Sequence, residues 1–237
     1  MQILKKSIMT LALAGVALAS QAATVEVQFA NPIFGALGHD DLTIAFTVPG
    51  NPSTIKTETV SAGRFQGAIS NLNGTDPSLF VDNQASVLMY CYDIYQSINH
   101  GAKINYSINP YGVTANTLDF LGAVNSVLNI GQSVFDHYAW LHPLNGNQGA
   151  AIQLGIWESL YDTVWNIADG SFKVTAGMDT STKNYLQDFA NAMPGSNSLS
   201  GSYTMVLESP LVQDMITGNR PGRHSQQPTC RNPAAWL

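Results

Sequence analysis

The chain reads as an α+β fold, a β-sandwich or barrel-like sheet carrying an inserted helical subdomain of about three helices. Three observations predict it. Through residues 24–108 apolar positions recur with a period of two, as half-buried strands require. Between about 115 and 195 they recur at helical spacing, and at Tyr203 the period of two returns. Strands followed by helices and then a strand do not make the alternation of a parallel sheet, and no repeat of fixed period is present.

Thr24 to Phe29 alternates as Thr-Val-Glu-Val-Gln-Phe and opens the sheet. Leu42 to Val48 and Thr54 to Val60 read the same way, bounded by Gly-His-Asp-Asp and Pro-Gly-Asn-Pro-Ser. Residues 70–77, rich in Asn, Gly, Asp and Pro, read as a loop. Ser86 to Tyr95 is the strongest strand and puts Val87, Met89, Cys91 and Asp93 on one face. Ile104 to Ile108 follows the turn at Asn99-His100-Gly101. Leu118, Leu121, Val124 and Leu128 then mark a helix, with Asn116 or Thr117 as its cap. A second helix starts near Asn145 or Asn147 and runs to about Ala168, with Ile152, Ile156, Leu160 and Val164 as its stripe. Thr180 to Met193 forms a third, stopped by Pro194-Gly195, and Tyr203 to Glu208 is the final strand. Residues 23–218 thus make one domain, with its helical insertion at about 115–195.

The N-terminus carries an export signature. Lys5 and Lys6 precede an apolar run, Ile8 to Ala19, that is too short to span a bilayer, and Ser20-Gln21-Ala22 offers small residues for cleavage after Ala22. Residues 1–22 therefore read as a signal peptide. Their removal takes the formal charge from −6 to −8, and without the basic tail, 219–237, the remainder stands at −11. No basic stripe exists to neutralise phosphates, which argues against a nucleic-acid partner. No second apolar run is long enough for a membrane span in the mature chain. Export permits disulfides, and Cys91 with Cys230 is the one pair available. The tail is proline-containing and aperiodic, and it reads as disordered.

The chemistry-bearing candidates are Cys91 and Gln153. A thiolate can attack a glutamine carboxamide, expel ammonia and leave an internal thioester, a stored electrophile for an amine or hydroxyl. That needs a thiol, a glutamine held in contact and a dry surround, for which Tyr90, Tyr92 and Trp157 are candidates. Trp157 follows Gln153 at i+4. Residue chemistry alone favours inert packing roles, because most cysteines on apolar strands are core residues. Asp93 either assists nearby or accepts backbone hydrogen bonds at the strand end. Glu158 and Asp162, at i and i+4, read as a solvated face. His137 and His142 lack a metal-ligand spacing, and His39-Asp40-Asp41 lacks a calcium loop. No serine-nucleophile motif is present. No metal or cofactor is expected.

Tyr90-Cys91 and Ile152-Gln153-Leu154-Gly155-Ile156-Trp157 resemble the paired motifs of the thioester domains of bacterial surface adhesins. The resemblance implies a β-rich fold with a helical subdomain and covalent capture of a protein or polysaccharide nucleophile. The chain also resembles exported PEP-CTERM proteins of Gram-negative bacteria over nearly all of 23–218. Cys91-Tyr92-Asp93, Ala139-Trp140-Leu141-His142-Pro143 and the segment 149–159 carry that likeness. It implies export to the periplasm, cell surface or extracellular matrix. A Pro-Glu-Pro sorting motif, an apolar helix and a basic tip would follow Ile216. Arg220-Pro221-Gly222-Arg223 stands there instead, so a truncated or frame-shifted terminus without the anchor is the expectation. The functional expectation is single-use attachment through Cys91 and Gln153, with no turnover. The alternative is a non-reactive structural or exopolysaccharide-associated surface protein of the same fold.

Overall fold

The computed structural model describes residues 22–221. The expected signal peptide lies outside them except for Ala22, and Cys230 lies outside them as well. Six antiparallel strands close a barrel: β1 (Thr24–Phe29), β4 (Phe65–Asn73), β5 (Val87–Cys91), β9 (Met215–Gly218), β8 (Thr204–Glu208) and β6 (Lys103–Asn109), in that spatial order. Closure removes exposed sheet edges. Residues directly opposite across a ladder share a face. Val25 faces Tyr106, Phe29 faces Gly67, Phe65 faces Met89 and Cys91 faces Met215, which in turn faces Leu207. These residues line the barrel interior, where edge-on ring contacts join Phe29 to Phe65 and Tyr106.

A second sheet has the order β3 (Asn51–Ala62), β2 (Asp40–Val48), β7 (Phe172–Ala176). Leu42, Ile44 and Phe46 bury the inner face of β2, while the long β3 is exposed along most of its length. Three helices complete the α+β architecture: α1 (Ala115–Leu128), α2 (Gly146–Tyr161) and α3 (Thr180–Ala192). Among the described residues no helix is long and apolar enough to cross a membrane.

Helix α2 is the central element. Asn145 caps it, its side chain accepting from Gln148 N at 2.9 Å. From Gln148 to Ser159 every residue is buried, so it behaves as a core helix without a polar face. Each fully buried Ile or Leu contributes roughly 1.5–3 kcal/mol. Two glycines let neighbours approach. A methyl on Gly155 would overlap the Phe120 ring of α1, and one on Gly146 would sit 2.6 Å from the Leu37 carbonyl oxygen.

Several sequence expectations are corrected. Residues 65–73 form β4 instead of running into a loop at 70; Gly67, pressed against Val27 and the Gln28 carbonyl, interrupts an otherwise clear alternation. β5 stops at Cys91, so Asp93 is not on its face. The cap of α1 is Thr114, accepting from Thr117 N at 3.3 Å. α2 ends at Tyr161, and Val164 is exposed. The helical insertion contains β7, and β9 follows the strand expected to be last. The domain also extends past 218. Asn219 is buried and bridges Phe80, and the Arg220 N–H donates to the Leu79 carbonyl.

Candidate functional site

The register of β5 explains how Cys91 and Gln153 meet. In an antiparallel strand the N–H and C=O of one residue point to the same neighbour. Tyr92 N donates to the Asp214 carbonyl on the β9 side, so the Cys91 backbone points the other way, toward β4. But β4 starts at Phe65, opposite Met89, and does not reach Cys91. The Gln153 carboxamide fills the gap. Cys91 N donates to Gln153 Oε1 at 2.8 Å, and Gln153 Nε2 donates to the Cys91 carbonyl at 2.9 Å. Gly149, Gln153 and Trp157 lie one turn apart on one face of α2. A methyl on Gly149 would stand 3.4 Å from Arg64 N, which places this helix face at the start of β4.

Cys91 and Gln153 are both buried, and Cys91 is a free thiol. Burial pushes the thiol well above its ordinary range, and the Asp93 charge adds to this. The thiol is therefore protonated at neutral pH. Cys91 also lines a cavity of about 290 Å³ together with Phe34, Phe65, His100, Trp157 and Gln213. His100 Nδ1 accepts from the Ile33 N–H at 3.1 Å.

The expected supporting residues divide between the two sides of the strand. Trp157 lines the Cys91 cavity and donates from Nε1 to the Asp93 carbonyl at 3.2 Å. Tyr90 lies on the opposite face, stacked on Trp140 at 5.9 Å, and its hydroxyl donates to the Trp140 carbonyl. It supports the strand from behind and does not cover the sulfur. Tyr92, one residue past the strand, has its hydroxyl accepting from Thr114 N at 2.8 Å. Asp93 lines a separate cavity of about 530 Å³ with Tyr92, Tyr95, Tyr161 and Asp214. Its Oδ2 accepts from Asp214 N at 3.0 Å, and burial raises its carboxyl to about 6.

Sequence reasoning missed Tyr106 and Gln213. Tyr106 shares the barrel interior, where burial raises its phenol, and donates to the Gln213 carbonyl at 3.1 Å. Gln213 donates to the Asp93 carbonyl at 2.7 Å. Both are far from Cys91 in sequence, and no local pattern marks them. Glu158 and Asp162 are not a solvated face. Glu158 is fully buried, accepts from Asn166 N at 2.8 Å and is raised to about 7, chiefly by desolvation. Asp162 anchors β7 by accepting from Ser171 N and Phe172 N.

The histidines are used locally. His142 lies 3.4 Å from Asp82, whose hydrogen bond raises its pKa, and His39 lies 3.3 Å from Asp41. Among the described residues no group of three or more His, Cys, Asp or Glu is placed to hold a metal ion. No family model matches the chain, and neither a curated protein nor a solved structure is found to be similar to it.

Proposed function

We propose that this chain is an exported surface or matrix protein that attaches covalently to amine or hydroxyl groups through an internal Cys91–Gln153 thioester. The observation that carries this reading is the seating of the Gln153 carboxamide on the Cys91 backbone, in a buried setting, with Cys91 at the wall of a cavity. Three requirements are thereby supported: proximity of the partners, through the Cys91 backbone, exclusion of bulk water and a route for a nucleophile.

The chemistry balances without a cofactor. Cys91 Sγ attacks Gln153 Cδ; the S–C bond forms, the Cδ–Nε2 bond breaks, and the thiol proton leaves with the nitrogen as ammonia. Burial keeps the thiol protonated, so its proton is the one the departing nitrogen takes. The reaction also gives up the hydrogen bond from Nε2 to the Cys91 carbonyl, at a cost of about 1 kcal/mol. An incoming amine then forms a C–N bond to Gln153 Cδ, the C–S bond breaks, and the amine proton returns to Sγ. Each molecule reacts once.

Incubation with a biotinylated primary amine tests this. The account expects label on the Gln153 peptide of the wild-type chain and none in Cys91→Ala. Label that survives Cys91→Ala would contradict it.

A second reading is a non-reactive structural or exopolysaccharide-associated surface protein. It is favoured by the fact that Gln153 already satisfies both backbone groups of Cys91, which suffices as a packing role. Under it the amine leaves no label on either form.

A further inference from the structure

A second cavity, of about 360 Å³, lies between α1 and the segment 197–203 and shares no lining residue with the Cys91 cavity. One wall is aromatic. The His137 ring lies flat on Tyr203, with centroids 4.1 Å apart and planes 9° apart, and Phe135 meets His137 edge-on at 5.1 Å. Ser126, Asn197 and Ser200 also line the space; Ser126 Oγ donates to the Gly122 carbonyl at 2.9 Å and Ser200 Oγ pairs with Ser202 Oγ, which leaves their remaining lone pairs as acceptors. No Asp, Glu, Lys or Arg lines the space.

The walls are fixed by buried contacts. Asn125, fully buried, donates from Nδ2 to the His137 carbonyl at 2.8 Å and accepts from Trp140 N at 2.9 Å. This pins the aromatic segment to α1. Opposite, Leu199 N donates to the Leu118 carbonyl at 2.9 Å, and Gly122 lets the Asn197 carbonyl come against the helix where a methyl would collide. The cavity is therefore preformed, as small-ligand sites usually are.

From this lining we infer that the cavity is a binding site for a neutral saccharide of one or two sugar units. A pyranose presents apolar C–H faces and a rim of hydroxyls that both donate and accept. The aromatic ring surfaces that line the cavity meet the first, and the serine oxygens meet the second as acceptors. An ionic ligand has no counter-charge here and would lose its hydration without compensation. The volume falls at the lower end of the range for small-molecule sites, which suits one or two rings. The inference does not depend on the reactivity of Cys91.

Saturation-transfer NMR on the full mature chain tests it, with methyl α-glucoside, methyl α-galactoside, methyl α-mannoside, N-acetylglucosamine, maltose and cellobiose as probes and glucuronate as the charged control. The expected result is transfer to at least one neutral probe and none to glucuronate. Affinity should fall roughly tenfold or more in Tyr203→Ala and be lost in Ser126→Leu, which fills the space. It should be unchanged in Cys91→Ala. If Tyr203→Ala does not fold, Ser126→Leu decides, with the fold of that variant checked by circular dichroism. Silence from every neutral probe would overturn the proposal, as would transfer that persists in folded Ser126→Leu.

Discussion

Gln153 stands beside Cys91 where a strand residue would otherwise be: its carboxamide meets the N–H and C=O that β4 does not reach. A side-chain amide has the same donor and acceptor as a peptide group, so it can extend a ladder by one rung. This binds α2 to the end of β5 and brings a carboxamide to the only described cysteine.

Removing that rung should be costly. Relative to the unreacted carboxamide form, Gln153→Ala leaves a buried N–H and C=O unmet, and a loss of about 2–4 kcal/mol is expected. Cys91→Ala keeps both hydrogen bonds and should lose less, about 1–2 kcal/mol for a small apolar group. Urea unfolding of the two variants measures the difference. Equal losses would contradict the ladder role of Gln153.

Gly155 sets the spacing of α1 and α2. A methyl there would overlap the Phe120 ring, which is itself stacked on Trp165 at 5.1 Å and packed edge-on against Phe189. Gly155→Ala should therefore destabilise by about 2–3 kcal/mol or more, despite the better helix propensity of alanine. Thermal unfolding of the variant checks this, and a raised melting temperature would refute the packing argument.

Much of the fold is legible in the sequence, and the exceptions have physical causes. Val25, Val27 and Phe29 announce β1 because their opposite face stays polar. β4 is hidden by Gly67, and by Asn71 and Gly74, which adopt positive φ where the strand ends. β9 has four residues, all buried, so it shows no alternation. The stripe of α2 runs on to Val164, but Asp162 takes an extended conformation and ties the chain to Ser171 and Phe172. The pairing of Cys91 with Gln153 was carried by motif resemblance, since local patterns do not give the register that brings residues 62 apart together. Glu158 was misread for the same reason: i, i+4 spacing does not say what covers a helix face.

That buried carboxyl gives a pH signature. Its folded value, about 7, lies above its ordinary value of 4.5, so the folded state binds the proton more tightly than the unfolded chain. Stability from this group is full below about 4.5 and declines as pH rises toward 7. Glu158→Gln keeps an acceptor for Asn166 N and removes the titration. It should flatten that decline, by on the order of 1–2 kcal/mol after allowance for solvent screening. Urea midpoints at a series of pH values test it, and an unchanged slope would contradict the assignment.

The intact mass of the mature protein, taken under native and non-reducing conditions, tests the central claim most directly. The account predicts a mass short of the calculated value by one ammonia, restored by an added amine with the mass of that amine, and no such deficit in Gln153→Ala. The full calculated mass, unchanged by amine, would contradict the thioester and leave Cys91 and Gln153 as packing partners.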